Sequence, residues 1–169
     1  MVQTLPYGSW PSPLTADVVS AASPRVDGAR LVGDEVWWGE SIPREAGRVA
    51  VRRRTAEGTI ETVLPGPANA RSTVHEYGGG AWTASDDGEL FYVEKTDQRV
   101  YALRPGGAAR ALTPVGGDVR HGGLVWEGGM LLAVRETHGE ARVPARAVVH
   151  IPTDGSAAAP SEMRITWPT

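Results

Sequence analysis

The apolar and polar positions of this chain alternate in short runs, and the runs are separated by Gly, Pro, Asp and charged residues. That period of two belongs to half-buried strands, and the separators belong to tight turns. Twelve such runs follow one another, in three sets of four. The first set reads Ala29–Val32, Glu35–Glu40, Arg48–Arg53 and Thr59–Leu64. The second reads Gly80–Ser85, Glu89–Lys95, Arg99–Arg104 and Ala109–Thr113. The third reads Leu124–Glu127, Met130–Glu136, Arg146–Ile151 and Glu162–Trp167. Asp86-Asp87-Gly88 and Pro105-Gly106-Gly107 supply hairpin turns, where glycine accepts the positive φ that such turns require. Pro144 and Ala157–Ala159 read as loops.

The three sets repeat one another. Gly78, Gly79 and Trp82 recur 44 positions later as Gly122, Gly123 and Trp126. A shift of 54 superposes Glu35, Val36, Trp37, Trp38 and Glu40 on Glu89, Leu90, Phe91, Tyr92 and Glu94. A shift of 41 places Gly88, Val93 and Thr96 on Gly129, Val134 and Thr137. One four-stranded unit used repeatedly at roughly 40–50 residues is the signature of a β-propeller. The fold class expected is therefore all-β, a partial β-propeller of about three four-stranded blades. The blades span about 29-66, 74-115 and 119-169, after an arm over 1-28.

Within the arm, Leu5–Pro13 is too rich in Pro, Gly and Ser for regular structure. Thr15 then offers an N-cap hydroxyl and Asp17 a carboxylate for the positive end of a helix dipole. One short helix is predicted over Ala16–Ala22, stopped before Pro24. At that length it needs something to dock on.

Three blades do not close a ring, for which about four to eight are used. Two apolar blade faces should therefore stand open, a surface that drives association. Either further blades follow in a longer protein, or copies of the chain complete a homo-oligomer through the open faces.

Composition removes several functions. The 169 residues carry a formal charge of -3, which offers no general attraction for nucleic acid. Lys95 is the sole lysine, a bias that reflects genomic base composition. There is no cysteine, hence no disulfide, thiolate metal site or cysteine nucleophile. No apolar run approaches the ~20 residues of a membrane span and the N-terminus lacks signal-peptide features, so a cytoplasmic protein without membrane contact is expected.

Candidate chemistry is sparse. His75, Glu76 and Tyr77 form the polar group of greatest interest. They can bind substrate at a propeller rim or bridge to another domain. Equally, they can belong to a loop between blades whose polar groups satisfy backbone atoms. His75, His121, His138 and His150 show no metal-ligand spacing, and neither metal nor cofactor is expected. Tyr77 and His121 occupy equivalent repeat positions. Glu40, Glu94 and Glu136 recur near the ends of second strands, where they can receive a cation or simply remain solvated. The run Arg52-Arg53-Arg54 reads as a solvated edge that discourages strand pairing. Ser9, Ser41, Ser72 and Ser85 lack a nucleophile elbow, and Gly78-Gly79-Gly80 lacks the Lys-Ser/Thr and helix of a phosphate loop. The tryptophans, among them Trp37, Trp38, Trp82 and Trp126, fall at strand or repeat positions and read as core. No catalytic residue is assigned.

Three segments carry a resemblance. Tyr7-Gly-Ser-Trp-Pro-Ser-Pro-Leu-Thr-Ala-Asp17, Asp34-Glu-Val-Trp-Trp-Gly-Glu40 and Asn69-Ala-Arg-Ser-Thr-Val-His-Glu-Tyr-Gly-Gly-Gly80 resemble the N-terminal region of bacterial prolyl oligopeptidase-family serine peptidases. The branch they are most similar to is the dipeptidyl peptidase or acylaminoacyl peptidase type. The resemblance implies a propeller of seven or eight blades that caps a C-terminal α/β-hydrolase domain. It also implies substrate filtering by the propeller and a Ser-Asp-His triad in the hydrolase, a domain absent from this chain. The partners expected on that basis are the hydrolase domain, the remaining blades and a peptide substrate. The alternative is a stand-alone binding module that completes its ring by oligomerisation.

Overall fold

The computed structural model describes residues 4–9, 12–20, 23–116, 118–140, 143–154 and 160–162. A five-residue helix, α1 (Ala16–Ser20), opens the chain. Its Thr15 hydroxyl accepts the Val18 N–H at 3.2 Å, the N-cap that the sequence predicts. Ala21 and Ala22, the predicted last turn, lie outside the described residues.

Twelve strands follow in three antiparallel sheets of four. The first holds β1 (Val26–Val32), β2 (Glu35–Ile42), β3 (Arg48–Arg54) and β4 (Ile60–Thr62), in sequence order. The second holds β5 (Trp82–Ala84), β6 (Leu90–Val93), β7 (Val100–Leu103) and β8 (Arg110–Ala111). The third holds β9 (Val119–Glu127), β10 (Met130–Thr137), β11 (Ala145–Ile151) and β12 (Ser161–Glu162). Each sheet is a meander, as propeller blades are. The predicted last strand, Glu162–Trp167, extends beyond the described residues at 163–169, and the Ala157–Ala159 loop also lies outside them.

Two cores lie between the sheets, and the middle sheet serves both. Leu90, Tyr92 and Leu103 join Trp37, Val51, Leu64 and Trp82 in the first core. Phe91, Val93, Val100 and Ala102 join Leu124, Leu131, Val149 and Ile151 in the second. Successive residues of a strand point to opposite faces, so a sheet covered on both faces needs an unbroken apolar run. β6 is such a run, Leu-Phe-Tyr-Val, with every residue buried. Among the described residues the outer sheets are covered on one face only. Leu31 and Ile60 of the first sheet, and Val125 and Val148 of the third, remain exposed.

Close backbone approach joins the first two sheets. The Trp82 indole donates to the Asp27 carbonyl at 3.1 Å and lies where a β-carbon on Gly39 would come within 2.7 Å of its nitrogen. The glycine in Trp37-Trp38-Gly39 is what admits the tryptophan of the next blade. In the second core Phe91 stacks on Trp126, with ring centroids 5.2 Å apart.

One expectation is corrected here. Arg52-Arg53-Arg54 is not a solvated edge: β3 pairs with β2 on one side and β4 on the other. Opposite charges on the neighbouring strands make this possible. Arg52 faces Glu40 at 3.3 Å, and Arg53 reaches Glu61 at 2.6 Å and Glu35 at 3.4 Å.

Candidate functional site

The segment from Asn69 to Gly80 leaves the first sheet, crosses the end of the second and reaches the third. It has no regular structure, so its polar groups are tied one by one to all three sheets. The Asn69 side chain accepts the Val49 N–H of β3 at 3.0 Å, while its own N–H donates to Glu94 at 2.9 Å. Arg71 N–H donates to the Val93 carbonyl at 3.0 Å. The Thr73 N–H and hydroxyl both donate to the Gln98 side-chain oxygen, at 2.8 and 2.9 Å. The Ser72 hydroxyl donates to the His121 carbonyl of β9 at 2.5 Å. At the end of the strap, Gly123 N–H and Leu124 N–H donate to the Gly79 and Gly80 carbonyls at 3.0 and 2.8 Å.

Within this strap His75 and Glu76 both take left-handed backbone angles, φ 55° and 67°. Such angles are uncommon outside glycine and persist only where the surroundings impose them. Here the surroundings are a buried carboxylate. Glu136 of β10 is 1% exposed, and its oxygens accept the His75 N–H at 3.2 Å and Arg146 Nε at 3.0 Å. His138 Nε2 lies 2.7 Å from the same carboxylate, His75 Nδ1 3.4 Å and Arg120 Nη1 3.9 Å. Burial opposes the charge on Glu136, but the hydrogen bonds from Arg146, His138 and the His75 N–H, with the Arg146 charge, outweigh it. The carboxyl is held below its usual range. Glu136 therefore works as an anchor. None of the three recurring glutamates is a solvated strand end: Glu40 is partly buried against Arg52, Glu94 accepts the Asn69 N–H, and Glu136 is the most deeply buried of them.

Arg120 completes the clasp, donating to the Thr73 carbonyl at 3.1 Å and to Glu76 at 2.9 Å. The result presents the three expected residues differently. The His75 side chain is half-exposed and turned toward Glu136, whereas Glu76 is 73% exposed and Tyr77 98% exposed. An aromatic ring held on a rigid loop entirely in water is a ready contact surface. Tyr77 and His121, equivalent in the repeat, thus have opposite fates, since His121 is 4% exposed. Burial, helped by the nearby Arg135 charge, pushes the His121 imidazole below its ordinary pKa, although the Gln98 carbonyl favours the proton. That carbonyl lies near the ring without completing a hydrogen bond to either nitrogen.

Sequence reasoning singled out His75, Glu76 and Tyr77 but missed Arg120, His138 and Arg146 as their supports. The only signal was the recurrence of glutamate at Glu40, Glu94 and Glu136. Among the described residues no group of three or more His, Asp and Glu is placed to hold a metal ion. None of the described helices is long and apolar enough to cross a membrane. No serine of the strap has a His side chain as a hydrogen-bond partner: Ser72 is committed to a carbonyl. The arrangement presents an exposed carboxylate at Glu76 and an exposed aromatic ring at Tyr77.

The chain matches no family model and no curated protein. It is similar to solved structures across nearly its whole length. One is a puromycin-hydrolyzing peptidase of Mycobacterium tuberculosis, with 35% identity and a TM-score of 0.80 over 94% of this chain and 27% of that one. A second is a puromycin hydrolase, with 40% identity and a TM-score of 0.78 over 94% of this chain and 26% of that one. A third is a mutant puromycin hydrolase complexed with PGG, with 39% identity and a TM-score of 0.80 over 95% of this chain and 27% of that one. The chain thus spans about a quarter of the length of the structures it matches.

Proposed function

We propose, from the premise that this chain belongs to the prolyl oligopeptidase family as a stretch of its propeller region, that it forms part of the substrate-selecting wall of a serine peptidase. The parent would hydrolyse short peptides or aminoacyl amides, in the manner of a dipeptidyl or acylaminoacyl peptidase, in the cytoplasm. Its partners would be the remaining blades and a C-terminal α/β-hydrolase domain that supplies the nucleophile and its base. The role of this region is gating: admitting small substrates and holding them, while acyl transfer happens elsewhere.

The observation that carries the reading is the strap itself. A backbone with left-handed angles at His75 and Glu76 is fixed by Glu136 and Arg120, and the outcome is that Glu76 and Tyr77 point outward. Strain that is retained to project an exposed carboxylate and an exposed aromatic fits a contact site. That the similar structures are of puromycin-hydrolysing proteins supports an amide-bearing substrate of modest size.

The test uses the full-length protein with puromycin and short peptides as substrates. Tyr77→Ala and Glu76→Gln should raise KM several-fold while the melting temperature stays within a few degrees. A full-length protein that hydrolyses neither puromycin nor any short peptide would sink the peptidase reading. Unchanged KM in both variants would sink the site.

A second reading draws on the outer sheets. Leu31 and Ile60 on one, with Val125 and Val148 on the other, leave apolar positions uncovered in this chain, as ring completion by further copies requires. Light scattering decides it: a monomer at every concentration removes this reading.

A further inference from the structure

Between the first and second sheets, at the end where the strap crosses, lies a cleft of about 320 Å³. Its wall includes Arg25, Asp27, Arg71 and Tyr77, and its floor includes the apolar Val49 and Ala81. Other arginines around the strap are spoken for: Arg48 by Glu45 and two carbonyls, Arg120 by Glu76, Arg146 by Glu136. The Arg25 and Arg71 guanidiniums have no hydrogen bond or ion pair among the described residues, and Asp27 in the same wall pairs with neither. Two guanidiniums against one carboxylate leave this cleft a net positive wall over an apolar floor.

The backbone that carries these groups is fixed. Arg71 is held through its N–H to Val93, and Arg25 through its N–H to the Ser41 hydroxyl at 3.0 Å. Tyr77 stands at the cleft between Glu76, clasped by Arg120, and Gly78, whose N–H donates to the Val74 carbonyl at 2.8 Å. A β-carbon on Gly78 would collide with the Ser72 carbonyl, so only glycine fits this close approach. Guanidinium is the side chain suited to carboxylates, and it is paired with an aromatic ring and a small apolar surface.

We propose that this cleft binds a carboxylate of a short peptide, with Arg25 and Arg71 meeting the carboxylate and Tyr77 covering the adjoining residue. The inference rests on the peptidase reading and names the substrate chemistry for the same rim. The carboxylate is either the peptide's own C-terminus or an acidic side chain, and the two sources are separable by experiment.

Full-length protein is assayed with trialanine, trialanine amide and Ala-Glu-Ala amide, in the parent sequence and in Arg71→Met, Arg25→Met and Arg71→Lys. A charge-assisted contact at a partly exposed site corresponds to roughly five- to tenfold in kcat/KM. The parent sequence should prefer a carboxylate-bearing peptide over trialanine amide by that factor. Preference for trialanine assigns the C-terminus, and preference for Ala-Glu-Ala amide assigns the side chain. Both methionine variants should bring the ratio near one through KM, with the trialanine amide rate unchanged, and Arg71→Lys should restore part of it. A ratio that stays the same in Arg71→Met and Arg25→Met, in protein of unchanged melting temperature, overturns the inference while leaving the peptidase reading intact. If the parent protein hydrolyses none of the three, the peptidase reading fails, and equilibrium binding of trialanine against its amide decides the cleft. Equal affinity for the two, and for Ala-Glu-Ala amide, overturns it. Should the methionine variants fail to fold, the same comparison in Arg71→Lys and at raised salt applies, where an unaltered ratio again overturns it.

Discussion

Gly80 lies so close to Gly123 that a β-carbon built on Gly80 would fall 2.6 Å from the Gly123 α-carbon. The two residues belong to glycine groups that recur 44 positions apart in the sequence. In the fold they meet face to face, where the strap's carbonyls accept the N–H groups of β9.

Gly80→Ala should therefore be costly twice over. The residue sits at φ 53°, where a side chain is strained, and the new methyl meets backbone that cannot move aside. Together the left-handed angle and overpacking should cost about 2–4 kcal/mol. Urea denaturation of the variant against the parent measures it. Gly128→Ala, also at positive φ but with open space around it, isolates the strain alone and should cost about 1 kcal/mol.

Phe91→Ala tests the claim that the middle sheet feeds two cores. Phe91 is 0% exposed and stacked on Trp126. Removing the ring should cost about 3–5 kcal/mol. It should also alter Trp126 fluorescence, because the indole loses the ring it packs against. The neighbouring Tyr92→Phe, in the other core, should leave that signal in place.

Glu136 sets an acid-side stability limit. Its carboxyl titrates below the ordinary 4.5 in the folded chain. A lowered folded value means the stabilisation is fully present above the unfolded carboxylate's range and is lost as pH falls through the folded value. Glu136→Gln should cost about 1–3 kcal/mol at neutral pH, because Arg146 and the His75 N–H lose a charged partner. It should also flatten the fall in stability below pH 4.5. Denaturation midpoints measured from pH 7 to pH 3 give both quantities.

His121 acts in a different window. Burial keeps its imidazole below the ordinary 6.5, so the unfolded chain takes up the proton first as the solution is acidified. The stabilisation is present above pH 6.5 and declines as pH falls through the lower folded value. His121→Gln should remove the slope that begins near pH 6.5 and leave the Glu136 branch in place. The same midpoints, read between pH 7 and pH 5, test it.

The strands were legible because their signals are local. Alternation of apolar and polar residues, and glycine or proline at turns, act within a few residues, and the eleven runs that lie wholly within the described residues all contain strands. The same holds for the Thr15 cap, whose partner is three residues away. Even the double burial of the middle sheet is visible in Leu90–Val93, since a run apolar at every position leaves no face for water.

What tertiary structure alone decided is where each charge finds its partner. Glu40, Glu94 and Glu136 look alike in the repeat, but only Glu136 is sealed beneath Arg120, Arg146 and a loop that begins some sixty residues earlier in the chain. Arg52 and Arg53 resemble an edge until Glu40 and Glu61 arrive on flanking strands. Tyr77 and His121 hold one repeat position, but the strap carries the first into water and the packing of β9 takes the second inside. Strand formation depends on near neighbours in the sequence. The fate of a charged or aromatic side chain depends on register and on which sheets pack together, and those are set only when distant segments meet.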